Sequence, residues 1–431
     1  MLTRAQLRHA LQEADSLLEE LGVDQESPID VFDIVDQLGL WLVFNPLKNL
    51  LGAAVPTGDG GIMLTTERGV GVQRYTAAHE IGHWILDYGQ PTFDTEDDIY
   101  RPAADRELLA QVFASQLLMP PPLVFSVCAR YGVRSSQTAL PQSVYLVARD
   151  IGSSYEAAAR QLANLDIISS ARRDELLRVE PAAIKADLSL GHRPSGAVDV
   201  WPVGLDSLGA ILNVTEGDEV VVLLPENRTT GYRWLTDDDL RRRAQRTRNA
   251  PPELDPSANA VPAQRDWTPR RRALESVKTV DKALARVPGN TGVIRVLPPT
   301  TPAAPSSGAP EFGHRLTVVD DRFKASRTPM PAAQRRTARR AIAHNTARVP
   351  DEPTPPATIA GTGTRLLALR SAGEGREAFQ AVYSSTYDPH APATDTYSLE
   401  VDITPGPAVL RRREYLAIDL DDGEQDGGHS D

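Results

Sequence analysis

At 431 residues and 41% hydrophobic content, the chain is long enough for two or three domains, each with its own core. A net charge of −12 argues against a general nucleic-acid binder, and the single cysteine, Cys128, excludes an intramolecular disulfide. No apolar run approaches the roughly 20 residues that span a bilayer, and the N-terminus lacks the apolar core and small-residue cleavage site of a signal peptide. The expectation is therefore a cytoplasmic protein that makes no membrane contact.

In chain order, Leu7, Leu11, Ala14, Leu17, Leu18 and Leu21 fall on one face of an N-terminal helix that Gly22 ends. A second short helix covers 28–38. Three apolar runs, LWLVFNP (40–46), LGAAVPT (51–57) and GGIMLTT (60–66), are separated by turn residues and predict a small antiparallel meander. The stretch YTAAHEIGHWILDY (75–88) reads as a helix, FDTEDDIYRP (93–102) as a loop, and 104–119 as a helix stopped by the triple proline 120–122. Residues 123–178 are again helical. Within them 143–168 has a helix–turn–helix rhythm, but Arg160 is the only basic residue between Ser154 and Leu165, which disfavours direct DNA binding. Cys128 reads as a buried helical residue, since no His or Asn pattern accompanies it.

His79 and His83 lie four residues apart, one above the other on a helix, so both imidazoles reach a single metal ion. Glu80 lies beside the metal position, where a general base takes a proton from an activated water. The flanking Ala77, Ala78 and Gly82 allow close packing. A catalytic zinc asks for a third protein ligand, and the nearby candidates are Asp87, Glu96, Asp97, Asp98, Asp105 and Glu107. Glu107 shares a face with the apolar residues of the next helix, one turn before Ala110, and a buried carboxylate there needs a partner that a metal supplies. The alternative is a glutamate placed by the helix dipole.

These residues resemble the ImmA/IrrE family of metallo-endopeptidases over about residues 1–170. Pro28-Ile29-Asp30, Ala78-His79-Glu80-Ile81-Gly82-His83 and the helix Glu107 through Pro120 carry the resemblance. It implies one zinc ion per chain held by His79, His83 and Glu107 (another divalent cation would suit the same donors), with Glu80 catalytic. Gln111 stands where the family usually has Asn and is expected beside the ligands. The implied substrate is a helix–turn–helix transcriptional repressor, cleaved at one site in a stress or mobile-element response. The strand with Ile62, Met63 and Leu64 is the expected edge for extended substrate backbone, with a plain core strand as the alternative.

From Val198 the pattern changes to strands: 219–226, 315–323, 364–371, 377–385 and 394–403, interrupted by Arg-, Pro- and Ala-rich insertions near 238–290 and 324–359 that are expected to be disordered. The run LPENRTTGYRW resembles the signature loop of chagasin-like cysteine-peptidase inhibitors through Asn227, Thr229, Thr230, Gly231, Tyr232 and Trp234, with Arg228 in place of a proline. Gly361 and Gly363 match that family's second loop, and the third is poor after Tyr383. The resemblance implies an immunoglobulin-like sandwich whose loops bind a cysteine peptidase or, by an intramolecular contact, regulate the metallopeptidase half. Arginine clusters at 240–248, 269–273 and 335–340 read as solvated faces.

The expected fold is thus α+β: a zincin-like metallopeptidase core (1–122) with a small antiparallel sheet, a helical subdomain (123–180), an all-β sandwich with insertions (195–410) and an acidic tail (411–431). The rival reading is a catalytically weak sensor whose sandwich binds or inhibits a cysteine peptidase.

Overall fold

The computed structural model describes residues 2–87, 90–100, 104–196, 198–248, 315–325, 362–388 and 390–412. They form two compact units, Met1–Asp199 with Thr404–Asp431, and Val200–Ile403.

The first unit opens with α1 (Arg4–Glu20), started by a capping box. Thr3 Oγ1 accepts the Gln6 N–H at 3.3 Å, and the Gln6 side-chain oxygen accepts the Thr3 N–H at 3.0 Å. Helix α2 (Val31–Gln37) starts at Asp30, whose carboxylate accepts the N–H groups of Phe32 and Asp33. Strands β1 (Trp41–Asn45), β2 (Gly52–Val55) and β3 (Gly61–Thr65) follow. They build a mixed sheet in the order β1-β3-β2, with β1 parallel to β3 and β2 antiparallel to it, rather than the expected antiparallel meander. β3 is the central strand, and its apolar run is largely covered: Ile62 and Leu64 are fully buried on one face and Met63 is half-buried on the other.

Helix α3 (Val70–Leu86) packs against α5 (Asp105–Leu118), with the short α4 (Glu96–Tyr100) preceding it. They come close at Gly82, where an added Cβ would lie 3.2 Å from the Ala110 Cα and from the Phe113 ring. Phe113 and Leu117 are fully buried on the same face, each contributing roughly 1.5–3 kcal/mol. Helices α6 (Pro121–Arg130), α7 (Pro141–Ile151), α8 (Tyr155–Asn164), α9 (Ser170–Leu176) and α10 (Pro181–Leu188) complete the unit. Gln161 of α8 donates to the Met119 carbonyl at the end of α5 at 3.0 Å, and Arg74 of α3 donates to the Gly152 carbonyl at 3.2 Å. The helical segment is therefore fastened to the sheet-bearing part, and Ala158, Ala159 and Leu162 of α8 face inward. After the second unit the chain returns as a helical turn, 407–412, whose Arg411 donates to the Phe32 carbonyl at 2.9 Å and pairs with Asp36.

The second unit is a sandwich. Strands β4 (Val200–Val203), β6 (Glu219–Asn227), β9 (Thr362–Ser371) and β8 (Leu316–Ala325) form one sheet, in the order β4-β6-β9-β8. Strands β5 (Ile211–Thr215), β11 (Asp395–Thr404), β10 (Gly375–Ser385) and β7 (Tyr232–Thr236) form the other, in the order β5-β11-β10-β7. Val220, Val222 and Leu224 of β6 and Leu367 and Leu369 of β9 share a core with Phe379, Ala381, Leu399 and Val401. The alternate spacing along each strand places these side chains on the inner faces.

Two further expectations are corrected here: the 93–102 segment, expected as a loop, contains α4, and the disordered insertion expected from about 238 begins as a helix, α11 (Asp237–Arg248). Three aspartates occupy its first turn, where the dipole favours negative charge. Its Asp239, together with Asp321 of β8, pairs with the buried Arg365 of β9 at 2.8 and 2.6 Å. Arg243 donates to the Ser385 carbonyl at 2.6 Å, so part of the 240–248 arginine cluster works inside the fold. The clusters at 269–273 and 335–340 lie outside the described residues.

Candidate metal centre and the loop end of the sandwich

Helix α3 presents His79 and His83 from successive turns, and α5 brings Glu107 over from its first turn. The two Nε2 atoms are 3.1 Å apart, and Glu107 Oε2 lies 3.2 Å from His79 Nε2 and 3.0 Å from His83 Nε2. A fourth group joins them: Asp94 Oδ2 is 3.4 Å from His79 Nε2 and 3.7 Å from His83 Nε2. All four ligand atoms lie within 4.8 Å of one another, and all four residues are buried. Donors bound tetrahedrally to zinc at about 2.0–2.1 Å sit roughly 3.3 Å apart, which is the spacing seen here.

The electrostatics ask for a positive charge at that point. Burial depresses the His79 imidazole, yet Asp94, Glu107 and Glu80 outweigh it and hold its pKa up at about 9. Burial raises the Glu107 carboxyl, but hydrogen bonds with His79 and His83 bring it well below the usual carboxylate range. Asp94 Oδ2 has no hydrogen-bond partner among the described residues although it is buried. A dication on the four converging atoms would answer both the charge and the orphaned oxygen, so the residues fit a metal.

Glu80 stands beside the donors, fully buried. Its Oε2 accepts the Thr92 hydroxyl at 2.5 Å, and its Oε1 has no hydrogen-bond partner among the described residues. Burial first, and then the Asp94 charge, push its carboxyl well above the usual range, which suits a group that must take and return a proton. Gly52 of β2 makes room for it: a Cβ there would meet Thr76 Cγ2 at 2.4 Å and Glu80 Oε1 at 2.7 Å. Asp87, one of the candidate ligands in the sequence, instead holds the other side of an imidazole, with its Oδ2 3.0 Å from His83 Nδ1. Arg106 Nε lies 3.2 Å from Glu107 Oε1.

Two expected roles are corrected. Ile62, Met63 and Leu64 offer no free edge, because β3 is paired with β1 on one side and β2 on the other. Gln111 donates to the Ile99 carbonyl of α4, so it fastens α5 to α4 instead of touching a ligand. Asp94, Thr92 and Gly52 are missed by sequence reasoning. Asp94 and Thr92 acquire their places only through backbone pairing with β2, and the only local signal is an Asp among other acidic residues. Cys128 is buried, and burial pushes its thiol up to about 12.

In the second unit Asn227 accepts from the Thr229 N–H at 3.1 Å and from its hydroxyl at 2.6 Å, and the Thr230 hydroxyl donates to the Asn227 carbonyl at 2.7 Å. Gly231 closes this turn at φ +75°, a left-handed conformation that favours glycine. Trp234 is buried and its Nε1 donates to the Pro225 carbonyl at 2.8 Å; Tyr232 lies 6.0 Å from the Tyr383 ring. Gly363 pairs with Glu226, and Thr362 with Asn227, so the start of β9 sits beside the first loop. The turn after β10 joins them: Thr386 N–H donates to the Gly231 carbonyl at 3.0 Å, and Tyr387, 88% exposed, flanks Gly231. The turns after β6 and β10 and the first residues of β9 therefore meet at one end of the sandwich. Gly361 lies outside the described residues.

Residues 35–163 match the model of the peptidase M78 family, described as the IrrE N-terminal-like domain. The matched region is thus similar to a metallopeptidase domain. No curated protein matches the chain. Among solved structures, a cysteine protease inhibitor from Entamoeba histolytica, EhICP2, is similar at 11% identity and a TM-score of 0.23, covering 49% of this chain and 100% of that one. Amebosin is similar at 12% identity and a TM-score of 0.20, covering 48% of this chain and 98% of that one. The sandwich itself stands on its own strand order and register.

Proposed function

We propose that the first unit is a zinc-dependent endopeptidase that cleaves a helix–turn–helix transcriptional repressor inside the cytoplasm. The observation that carries the reading is the convergence of His79, His83 and Glu107 at tetrahedral donor spacing, with the buried Glu80 alongside. A bound zinc ion would supply Lewis acidity, polarising a peptide carbonyl and acidifying a water molecule. His79 and His83 would hold it through Nε2, and Asp87 would keep the His83 ring oriented from the Nδ1 side. Glu80 takes the water proton at Oε1 and delivers it to the departing amine. The family match over residues 35–163 supports protein as the substrate; the repressor and the stress or mobile-element response rest on the resemblance to ImmA/IrrE proteins.

The test begins with metal. Fresh protein should carry one zinc per chain, and His79→Ala or Glu107→Ala should lose it. Glu80→Gln should keep the metal and lower the cleavage of a purified helix–turn–helix repressor encoded near the gene by about 100- to 10,000-fold. Protein without stoichiometric metal sinks the enzyme reading, whereas peptide-library cleavage without repressor cleavage sinks only the substrate.

A second reading is favoured by the turns after β6 and β10 gathered beside the start of β9 at one end of the sandwich. In it the second unit binds a papain-like cysteine peptidase through Asn227–Trp234 and its neighbours. Full-length protein that leaves papain activity unchanged at micromolar concentration refutes it.

A further inference from the structure

The outer edge of β2, the side away from β3, is already paired. The Thr92 N–H donates to the Ala54 carbonyl at 3.0 Å, the Asp94 N–H to the Gly52 carbonyl at 3.0 Å, and the Leu51 N–H to the Asp94 carbonyl at 2.8 Å. The Ala54 N–H donates to the Thr92 hydroxyl at 2.8 Å, and Gly52 and Asp94 form an antiparallel bridge. The three-residue segment therefore lies on β2 as a short extra strand. Side chains alternate along a strand, and they do so here: Thr92 and Asp94 are 3% and 4% exposed, while Phe93 between them is 62% exposed.

Both inward side chains land on the machinery. Thr92 binds Glu80 at 2.5 Å, and Asp94 faces both histidines at 3.4 and 3.7 Å. A catalytic zinc uses three protein ligands and keeps one position for water or substrate. His79, His83 and Glu107 make three, so Asp94 stands in the position that chemistry requires to be open. The same strip takes the outer backbone edge of β2 and touches Glu80 through Thr92, and an extended peptide adding to the sheet there would need that edge.

We propose that residues 92–94 are a built-in plug: a strand that occupies the substrate edge of β2 and offers the Asp94 carboxylate as a fourth, displaceable ligand. The proposal rests on the zinc-peptidase reading and adds that the chain is latent until this strip leaves β2. An extended peptide would take the same backbone positions, so peptide and plug exclude one another. Asp94→Asn and Asp94→Ala open the site without touching the other three ligands. Thr92→Val frees Glu80 while preserving shape.

The experiment uses the full chain stripped of metal and reloaded with Co(II), whose visible absorption reports the ligand set. Acetohydroxamate is the probe, because it needs an open position on the metal. Wild-type protein should bind it weakly, and Asp94→Ala should bind it about tenfold or more tightly. Saturating probe should speed amide exchange at Asp94 and Leu51 in the wild type. Loss of bound cobalt in both Asp94 variants would make Asp94 a permanent ligand and overturn the plug. Equal probe affinity in wild type and variants would overturn it as well, while leaving the peptidase reading standing. No cobalt bound by the wild type would overturn both.

Discussion

Replacing Gly52 with alanine tests the geometry around Glu80 without removing a ligand. The added Cβ would sit 2.4 Å from Thr76 Cγ2 and 2.7 Å from Glu80 Oε1. Carbon atoms rest at about 3.5–4.0 Å, so β2 must recede from α3 by roughly 1 Å. Overpacking of this kind costs about 1–3 kcal/mol, a fall in Tm on the order of 5 °C for a unit of this size. A displacement of about 1 Å at a positioned proton acceptor lowers kcat/KM by about 100-fold. Zinc content should stay at one per chain, because His79, His83 and Glu107 are on helices. Pairing the change with Thr76→Ser removes the closest contact, Cγ2, and leaves the one with Glu80. The double variant should recover part of the lost Tm and little of the lost rate, a split that a double-mutant cycle resolves. Calorimetry and a fluorogenic peptide assay read both quantities. A Gly52→Ala protein with wild-type Tm and wild-type kcat/KM would refute the reasoning, since the strand would then have no need to press on Glu80.

Asp87→Ala removes the carboxylate behind His83 and should weaken zinc about 10- to 100-fold, measured by competition with a chromophoric chelator. Arg365→Met leaves Asp239 and Asp321 without their shared cation. Because these side chains are 23% and 38% exposed, the loss should be about 2 kcal/mol, below the 3–5 kcal/mol of a fully buried pair, read by urea unfolding of the full chain. Burial raises the Asp239 carboxyl, but Arg365 outweighs it and holds it below the usual carboxylate range. Its contribution is therefore present above the unfolded value of about 3.9 and is lost as pH falls; Arg365→Met should flatten that acid-side loss. Gly363→Ala would place a Cβ 2.3 Å from the Lys324 carbonyl, force β8 away from β9 and destabilise the sandwich by about 1–3 kcal/mol, visible as a lower urea midpoint.

The helical half of the metal centre was legible because its geometry is local. Four residues make one turn, so His79 and His83 had to converge, and the apolar spacing after Glu107 set the face it shares with Ala110 and Phe113. Strand order was not legible. The connections 46–51 and 56–60 suit neighbouring strands in any order, and β3 moved to the centre because its apolar run can be covered on both faces. Asp94 stayed hidden for a related reason: a three-residue strip carries no period, and only β2, some forty residues earlier in the chain, decides which of the acidic residues turns inward. Helix α11 was hidden by composition, since its arginines resemble a solvated linker until Arg243 and Asp239 find their partners in the sandwich.

The return of the chain at residues 404–412 makes the second unit an insertion rather than an appendage. It is joined to the first unit at both ends, so after one nick near Asp199 its only covalent link to that unit would be the returning segment at 404. It also changes how the unit must be removed. Truncation near residue 195 would discard Arg411 along with the sandwich and leave the carbonyl of Phe32 and the carboxylate of Asp36 without that guanidinium. A clean excision joins Asp199 to Thr404, and only the difference between that excision and the plain truncation separates regulation by the sandwich from support by the chain's final turn.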